Sequence, residues 1–238
     1  MTSWSHRTGQ VFLKNTRIAE YEVDLLDPLS GESILEIGPG EGVITGILAN
    51  YDIRLTAVEK DRDISTELSE KFRSDKISIV NRDILEFPTG SYDGIIGNIP
   101  YYISSPILFR LYDFDFRRAV LMVQKEFADK LVTESDISRL YVNANVRFEI
   151  KISRYVSNTN FYPVPKVDSA IIYLKRKKYD YPFTTDFLDE ILIKMFSKKR
   201  KMISNIFDDY PKDFSNRRPS DLSFTEIVDL ARYLYSFR

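Results

Sequence analysis

Cysteine is absent from the sequence, and histidine occurs once among the 238 residues. The lack of cysteine excludes disulfides, thiol nucleophiles and cysteine-ligated zinc. The single histidine, His6, lies in a polar N-terminal segment, where we expect it to be solvated. We therefore predict no metal site, and any catalytic chemistry must depend on other side chains.

Long apolar segments are missing as well. No run approaches the roughly 20 residues needed to cross a bilayer, and residues 1–13 are too polar for a secretory leader. We therefore expect a cytoplasmic protein without a membrane partner. Hydrophobic residues still make up 43% of the chain, which is enough for a packed core and argues against disorder.

An excess of positive charge is also missing, since the net charge is −1. Most nucleic-acid-binding proteins are basic overall, although local clusters of cations are what bind phosphates. Residues 175–178 and 198–201 form the strongest basic clusters, and each could also be an ordinary solvated patch. If the protein binds RNA, the first candidates for phosphate contacts are Lys198, Lys199, Arg200 and Lys201.

Short apolar segments alternate with amphipathic ones through the first two-thirds of the chain. The apolar segments predict buried parallel strands at 33–37, 54–58, 77–80, 94–97 and 119–123. The amphipathic segments predict helices at 17–26, 43–50, 63–72, 105–112 and 125–134. This alternation is typical of an α/β protein with a Rossmann-like sheet. Two longer β-like runs, 148–156 and 169–176, predict an antiparallel hairpin at the sheet edge.

The pattern becomes helical after residue 178. We predict helices at 186–196, 199–207 and 225–235, with Ser223 as an N-cap and Glu226 completing a capping box. The chain is therefore expected to divide into an α/β domain, residues 1–178, and a small all-helical domain, residues 179–238.

A glycine-rich stretch, Glu36-Ile37-Gly38-Pro39-Gly40-Glu41-Gly42, follows the first strand of the predicted parallel sheet. Glycines at the carboxyl end of such a strand allow the backbone to bend tightly against a nucleotide-like ligand, which makes Gly38 and Gly40 candidates for binding it. Val43 stands where a dinucleotide fingerprint needs glycine, and no Gly-Lys-Ser/Thr follows, which excludes a P-loop. The pattern favours a ligand that carries no phosphate.

Two acidic residues follow the next strands. Glu59 lies about twenty residues beyond Gly38, where a carboxylate accepts hydrogen bonds from ribose hydroxyls. Asp83 follows the third strand, where it can accept a hydrogen bond from an adenine amino group while Ile84 packs on the ring. An adenosine-bearing ligand without phosphate is indicated, and S-adenosylmethionine fits that description.

Asn98-Ile99-Pro100-Tyr101 follows the fourth strand, beside the predicted cofactor site. The amino nitrogen of adenine is a weak nucleophile because its lone pair is delocalised into the ring. The Asn98 side-chain carbonyl and the Pro100 backbone carbonyl can accept its two protons and direct the lone pair at the sulfonium methyl. Catalysis is then mostly positioning and electrostatics, with Tyr101 stacking on an extruded base.

These motifs and three others resemble the ribosomal RNA adenine dimethyltransferases of the KsgA type, in their short archaeal form. The resemblance covers nearly the whole chain. The further motifs are Gly9-Gln10-Val11-Phe12-Leu13, Gln124-Lys125-Glu126-Phe127-Ala128 and Phe161-Tyr162-Pro163-Val164-Pro165-Lys166-Val167-Asp168-Ser169-Ala170.

The resemblance implies further roles. Gln10, Val11 and Leu13 would belong to a segment that folds over the cofactor, and Phe161 would sit beside the target base. Such enzymes place two methyl groups on each of two adjacent adenines near the 3′ end of small-subunit rRNA during ribosome biogenesis. The helical domain, 179–238, would help to dock the pre-ribosomal small subunit, and we expect a monomer.

The chain departs from the family pattern at two places. Ser138-Arg139-Leu140-Tyr141-Val142 stands where relatives usually have Tyr-Gly-Arg-Leu-Ser-Val, at the entry to a helix. Val11 stands where relatives often have Asn or His, so that only a backbone contact with the cofactor is expected there.

Three alternative functions are compatible with parts of this sequence pattern. A related branch that confers antibiotic resistance modifies one adenine of large-subunit rRNA, but it usually lacks a proline equivalent to Pro106. Protein glutamine methyltransferases use a similar Asn-Pro-Pro-Tyr, but Ile99 replaces the first proline here. A non-catalytic assembly factor would not require an intact cofactor site.

Overall fold

The computed structural model describes residues 12–238, apart from the side chain of Asp136. Over this range it contains nine β-strands and eight α-helices. The strands are β1 Phe12–Leu13, β2 Ser33–Ile37, β3 Arg54–Glu59, β4 Ile77–Asn81, β5 Ser91–Asn98, β6 Asp115–Gln124, β7 Phe148–Val156, β8 Phe161–Tyr162 and β9 Ser169–Arg176. The helices are α1 Thr16–Leu26, α2 Val43–Leu48, α3 Arg62–Lys71, α4 Ser104–Arg110, α5 Lys125–Val132, α6 Arg139–Arg147, α7 Thr185–Phe196 and α8 Phe224–Tyr235.

Seven strands form the central sheet in the order β4-β3-β2-β5-β6-β9-β7. The first five are parallel, and β9 pairs antiparallel with β6, which confirms the predicted α/β class. The chain runs outward from β2 to β4 and then returns to place β5 on the other side of β2. Loops at the carboxyl ends of β2 and β5 therefore diverge at a topological switch point, where α/β sheets bind ligands.

The centre of the sheet is fully buried and closely packed. Ile34 and Leu35 of β2 and Ile95 and Ile96 of β5 have no exposed surface, as expected for parallel strands covered on both faces. Gly97 lets β5 approach β2, since a Cβ at this position would clash with the backbone carbonyl of Ile37. The tight pairing fixes the two strand ends that lead into the glycine turn and into the Asn98 turn.

The contacts divide the chain into two compact units. Among the described residues, the first contains 12–128 and 149–176, and the second contains 129–148 and 177–238. The predicted domain division at 178/179 assigns residues 129–148 to the first domain, whereas the grouping by contacts places them with residues 177–238. Within residues 12–238, every helix falls short of the length and apolarity that crossing a membrane requires.

The second unit has its own apolar core, to which α6, α7 and α8 contribute. The spacing of apolar residues did not predict helix α6, although the family resemblance implied a helix entry at 138–142. Ser138 is its N-cap, with the hydroxyl accepting from the N–H of Tyr141 at 3.1 Å. The departure from the family pattern at this point therefore supplies a helix cap. The predicted capping box of Ser223 and Glu226 at α8 is confirmed.

One predicted helix is wrong. Residues 199–207 form turns and a short 3₁₀ segment, Ile203–Asn205. The N–H of Ile203 donates to the carbonyl of Arg217 at 2.8 Å, so it is not available for the bond to residue 199 that an α-helix needs. The other predicted helices lie within two residues of the observed ends.

Candidate active site at the carboxyl ends of β2 and β5

The glycine turn after β2 has a left-handed backbone. The φ angles of Gly38, Gly40 and Gly42 are 65°, 54° and 76°, values that residues with a Cβ rarely adopt. A Cβ at Gly42 would also lie 2.6 Å from Leu68 Cδ2, whereas one at Gly38 would meet nothing within 4 Å. Gly42 therefore allows close packing against α3, and Gly38 leaves open space beside the turn.

The short β1–β8 pair lies against this turn. A Cβ at Gly40 would be 3.4 Å from the Phe12 ring, so the strand that follows Gln10 and Val11 runs beside the glycines. Gln10 and Val11 themselves lie outside the described residues. Leu13 pairs with Phe161 across the two strands, and both side chains are buried, with 8% and 4% exposed.

Glu59, at the end of β3, is tied to the glycine turn. Its Oε2 accepts from the N–H of Gly40 at 3.2 Å, and its Oε1 accepts from the N–H of Asp61 at 2.9 Å. Burial raises the pKa of this carboxyl, against the lowering effect of the two N–H donors. Glu59 thus holds the loop while remaining close to where a ribose is expected.

Asp83 has a cationic neighbour that the sequence reasoning missed. Its Oδ2 forms an ion pair with Lys60 at 2.8 Å, and its Oδ1 accepts from the N–H of Leu85 at 3.0 Å. The Lys60 hydrogen bond lowers the pKa of Asp83, so this carboxylate is an acceptor only. Ile84 beside it is buried, with 6% exposed.

Asn98, the last residue of β5, meets an acidic side chain of α1. Its amide nitrogen, oriented to satisfy both groups, lies 2.8 Å from Oε1 and 3.3 Å from Oε2 of Glu22. Glu22 has no exposed surface, and its pKa is raised well above the usual value, chiefly by burial. Sequence reasoning did not identify Glu22, although it falls four residues after Ile18 on the apolar stripe of α1.

A second buried carboxylate, Glu36, lies in β2 itself. Its Oε2 accepts from the Thr45 hydroxyl at 2.7 Å. Burial raises its pKa to about 7, and the nearby Glu59 charge adds to the shift. Sequence reasoning saw Glu36 only as part of the glycine motif, although a charged residue within a buried strand is itself a signal of function.

Pro100 and Tyr101 form the turn that follows Asn98. The Pro100 carbonyl accepts from the N–H of Ile103 at 3.0 Å and, in a longer bond, from the Ser104 hydroxyl at 3.4 Å. A carbonyl oxygen has two lone pairs, so a third, stronger donor would replace the long Ser104 bond. The Tyr101 hydroxyl lies 2.6 Å from the Ser169 hydroxyl, which ties the ring to β9, whereas Tyr102 is 81% exposed.

The two basic clusters, residues 198–201 and 175–178, differ in exposure and in their hydrogen bonds. Lys198, Lys199, Arg200 and Lys201 are exposed in the turn that follows α7, so the expectation that they begin a helix is wrong. The cluster at 175–178 is partly committed to structure. The Arg176 guanidinium donates to the carbonyls of Phe114 at 2.7 Å and Tyr112 at 3.1 Å.

The carboxyl ends of β2, β3 and β5 thus collect buried acids with neutral partners. Within the described part of the chain, Glu22, Glu36 and Glu59 accept from amide, hydroxyl and backbone N–H groups. No three His, Cys, Asp or Glu side chains among the described residues are grouped to hold a metal ion. A group of buried acids near an open glycine turn suits a cationic, phosphate-free ligand, and the sulfonium of S-adenosylmethionine has that charge.

Solved structures establish the class of this protein. A dimethyladenosine transferase from Plasmodium falciparum superposes with a TM-score of 0.82 at 26% identity, covering 92% of this chain and 95% of that one. The 23S rRNA methyltransferase ErmE superposes with a TM-score of 0.75, also at 26% identity, covering 92% of this chain and 99% of that one. The fold is therefore that of the class I S-adenosylmethionine-dependent methyltransferases.

The family follows from the sequence comparison. The ribosomal RNA adenine dimethylase model matches residues 1–230. A probable ribosomal RNA small subunit methyltransferase A from Thermococcus sibiricus is 34% identical over 95% of this chain and 90% of its own length. The chain belongs to the ribosomal RNA adenine dimethylase family, which confirms the resemblance found in the motifs.

Proposed function

We propose that this enzyme transfers methyl groups from S-adenosylmethionine to the exocyclic amino groups of two adjacent adenines near the 3′ end of small-subunit rRNA, two methyl groups to each. The observation that carries the proposal is the position of Asn98. It ends β5 directly beside β2, whose glycine turn borders open space at Gly38.

Residues at the strand ends would each bind a different part of the cofactor. Glu59 would accept from the ribose hydroxyls and Asp83 from the adenine amino group, while Ile84 packs on the adenine ring. Gly38 and Gly40 allow the backbone to lie close to the ligand, and Gln10, Val11 and Leu13 would cover it. When bound, the cofactor supplies an electrophilic methyl group on a positively charged sulfur.

Asn98 and Pro100 would prepare the nucleophile. The Asn98 Oδ1 and the Pro100 carbonyl accept the two amino protons of the target adenine, which directs the nitrogen lone pair away from the ring. Pro100 would do this with its second lone pair, where the amine replaces the long bond from the Ser104 hydroxyl. A strong base is unnecessary, because the leaving group is a neutral thioether and the amine loses its proton after attack.

Aromatic side chains would receive the extruded base. The bond between Tyr101 and Ser169 restrains the Tyr101 ring before the base arrives, which reduces the entropy lost on stacking. Phe161 is buried against Leu13, so its proposed role is to line the wall of the base pocket. Neither side chain needs to carry charge.

Small-subunit rRNA is favoured over large-subunit rRNA as the substrate. The Thermococcus relative is named a small subunit methyltransferase, and the dimethyladenosine transferase superposes more closely than ErmE. The Ser105-Pro106 pair at the start of α4 points the same way. We further propose that the enzyme acts as a monomer in the cytoplasm, where residues 179–238 dock the pre-ribosomal small subunit.

Transfer of radiolabelled methyl groups to purified ribosomal particles tests this proposal. Small-subunit particles from cells that lack the modification should be labelled, and digestion should release N6,N6-dimethyladenosine. Large-subunit particles from the same cells should remain unlabelled. Labelling confined to large-subunit particles would favour the resistance-type activity and contradict the proposal.

A further inference from the structure

Glu22 is a buried acid to which the proposed chemistry assigns no role. It lies on α1 among Ile18, Ala19, Val23 and Leu26, all of them buried, and it has no exposed surface itself. Burying a carboxylate is costly unless specific partners compensate it. A leucine would serve the core better at this position, so the contact that Glu22 makes requires an explanation.

That contact is with the side chain of Asn98. With the amide oriented to satisfy both groups, its nitrogen lies 2.8 Å and 3.3 Å from the two carboxylate oxygens. An ionised carboxylate only accepts hydrogen bonds, whereas an asparagine amide has a donor end and an acceptor end. Glu22 can therefore bond favourably with Asn98 in only one of the two amide orientations.

We infer that Glu22 is a positioning residue that holds the Asn98 amide nitrogen, so that the Asn98 carbonyl oxygen faces the target amine. Without such a partner the terminal torsion of asparagine is broad and nearly two-fold. The reversed amide would present an N–H₂ group to the amino group of adenine, and neither could accept from the other. This inference rests on the role proposed for Asn98.

Two other acids affect the charge of Glu22. Burial is the main cause of the raised pKa of Glu22, and the negative charge of Glu36 in β2 adds to it; the charge of Glu59 acts in the same way on Glu36. A protonated Glu22 would have an O–H donor, which could bond to the Asn98 oxygen and stabilise the unproductive orientation. Methyl transfer should therefore rise with pH as Glu22 ionises, in addition to any effect of Glu36.

Substitutions at Glu22 separate orientation from charge. Glu22→Leu removes the partner and leaves the Asn98 nitrogen unsatisfied, so kcat at saturating cofactor should fall about ten-fold or more. Glu22→Gln keeps an acceptor but also carries an N–H₂ donor, as protonated Glu22 carries an O–H donor, so its kcat should match the lower rate that the wild type shows at acidic pH. Cofactor affinity, measured by calorimetry, should change less than about three-fold in both variants. Glu20→Leu, at an exposed position of the same helix, is the matched control.

The pH profile gives a second readout that a structural role would not change. The acidic limb of the wild-type profile should flatten in Glu22→Gln, because Glu36 and Glu59 are common to both proteins and only Glu22 differs. Equal loss of cofactor affinity in Glu22→Gln and Glu22→Leu would show instead that Glu22 acts as a charge on the cofactor, and would overturn the inference.

A double-mutant cycle with Asn98→Ala distinguishes failure of this inference from failure of the proposed function. If Glu22 acts through Asn98, Glu22→Leu should have no further effect on the residual rate of Asn98→Ala. Additive effects would overturn the positioning role. Wild-type activity in Asn98→Ala alone would instead contradict the proposed role of Asn98 itself.

Discussion

Buried carboxylates at the two ends of the central sheet differ in their partners and in the direction of their pKa shifts. At the amino end, Glu32 bonds to Arg117 and Arg118, the latter at 2.6 Å, and accepts from the N–H of Leu29 at 3.0 Å. Burial opposes ionisation there, but the Arg118 hydrogen bond and the other donors lower the pKa of Glu32. At the carboxyl end, burial raises the pKa values of Glu22, Glu36 and Glu59.

The difference lies in the partners. Glu32 is neutralised by cations of the protein itself, so its charge stabilises the fold. The acids at the carboxyl end have neutral partners, so burial keeps their pKa values raised, and a bound cation would favour their ionised form. Several acids with raised pKa values in one region are typical of functional sites, so the carboxyl end of the sheet has the character of such a site, whereas Glu32 at the amino end has a structural role.

Asn98→Ala should give the largest effect and leave the amino end untouched. Removing one preorganised polar group at a reacting centre typically costs ~10²–10³ in rate. A radiolabel transfer assay should show that loss, while calorimetry should show cofactor binding that is largely unchanged. Activity within a few-fold of the wild type would remove Asn98 from the mechanism.

Glu32→Gln should produce the converse result, a loss of stability with normal catalysis. The variant leaves two guanidinium groups without their shared carboxylate, at a cost of about 2 kcal/mol. Because the pKa of Glu32 is lowered in the folded state from its ordinary value of 4.5, its contribution to stability is present above that pH and declines as the pH falls below it. Urea unfolding at neutral and acidic pH measures both effects. A reduced kcat at saturating cofactor in the folded variant would show that Glu32 also contributes to catalysis, and would contradict the distinction between the two ends of the sheet.

Glu59→Ala should weaken cofactor binding about ten-fold and lower the rate at saturating cofactor much less. A ribose contact is made equally in the ground and transition states, so its loss appears as binding energy. The variant also frees the N–H of Gly40, and Glu59→Gln, which retains an acceptor, should show a smaller loss. Unchanged affinity in calorimetric titrations of Glu59→Ala would exclude the residue from the cofactor site.

The exposed cations after α7 should show the smallest effect, and one that depends on salt. Replacing Lys198, Lys199, Arg200 and Lys201 with Gln should weaken binding to small-subunit particles and reduce the slope of log K against log salt. Each lost phosphate contact lowers that slope by about 0.7–0.9. The control with equal charge change replaces Arg54, Arg62, Lys71 and Arg73 of the first unit. Equal slopes in the wild type and the 198–201 variant would identify those residues as a solvated surface.

The parallel sheet could be predicted because its strands carry local signals. Ile and Val runs at 33–37 and 119–123, each followed by a helical pattern, are typical of buried parallel strands. Helix α6 lacked such a signal, since Asn143 and Arg147 are polar although both are buried. The Asn143 amide donates to Asp189 at 2.5 Å and accepts from the Arg147 guanidinium at 2.9 Å, and the bond to Asp189 is a tertiary contact that local sequence does not reveal.

The parts of the candidate site that follow the parallel strands could be predicted from the sequence. Gly38, Glu59 and Asn98 follow consecutive strands of a parallel sheet, so the topology itself brings them to one edge. Lys60 and Glu22 were not foreseen, because an ion pair to Asp83 and a contact to Asn98 are set by side-chain packing between distant segments.

Mapping of methylated adenines in rRNA from cells with and without this protein tests the central claim most directly. Deletion should remove two adjacent N6,N6-dimethyladenines near the 3′ end of small-subunit rRNA, and the wild-type gene should restore them, whereas Asn98→Ala should not. Unchanged small-subunit methylation in the deletion, with loss of a methylated adenine from large-subunit rRNA, would contradict the account.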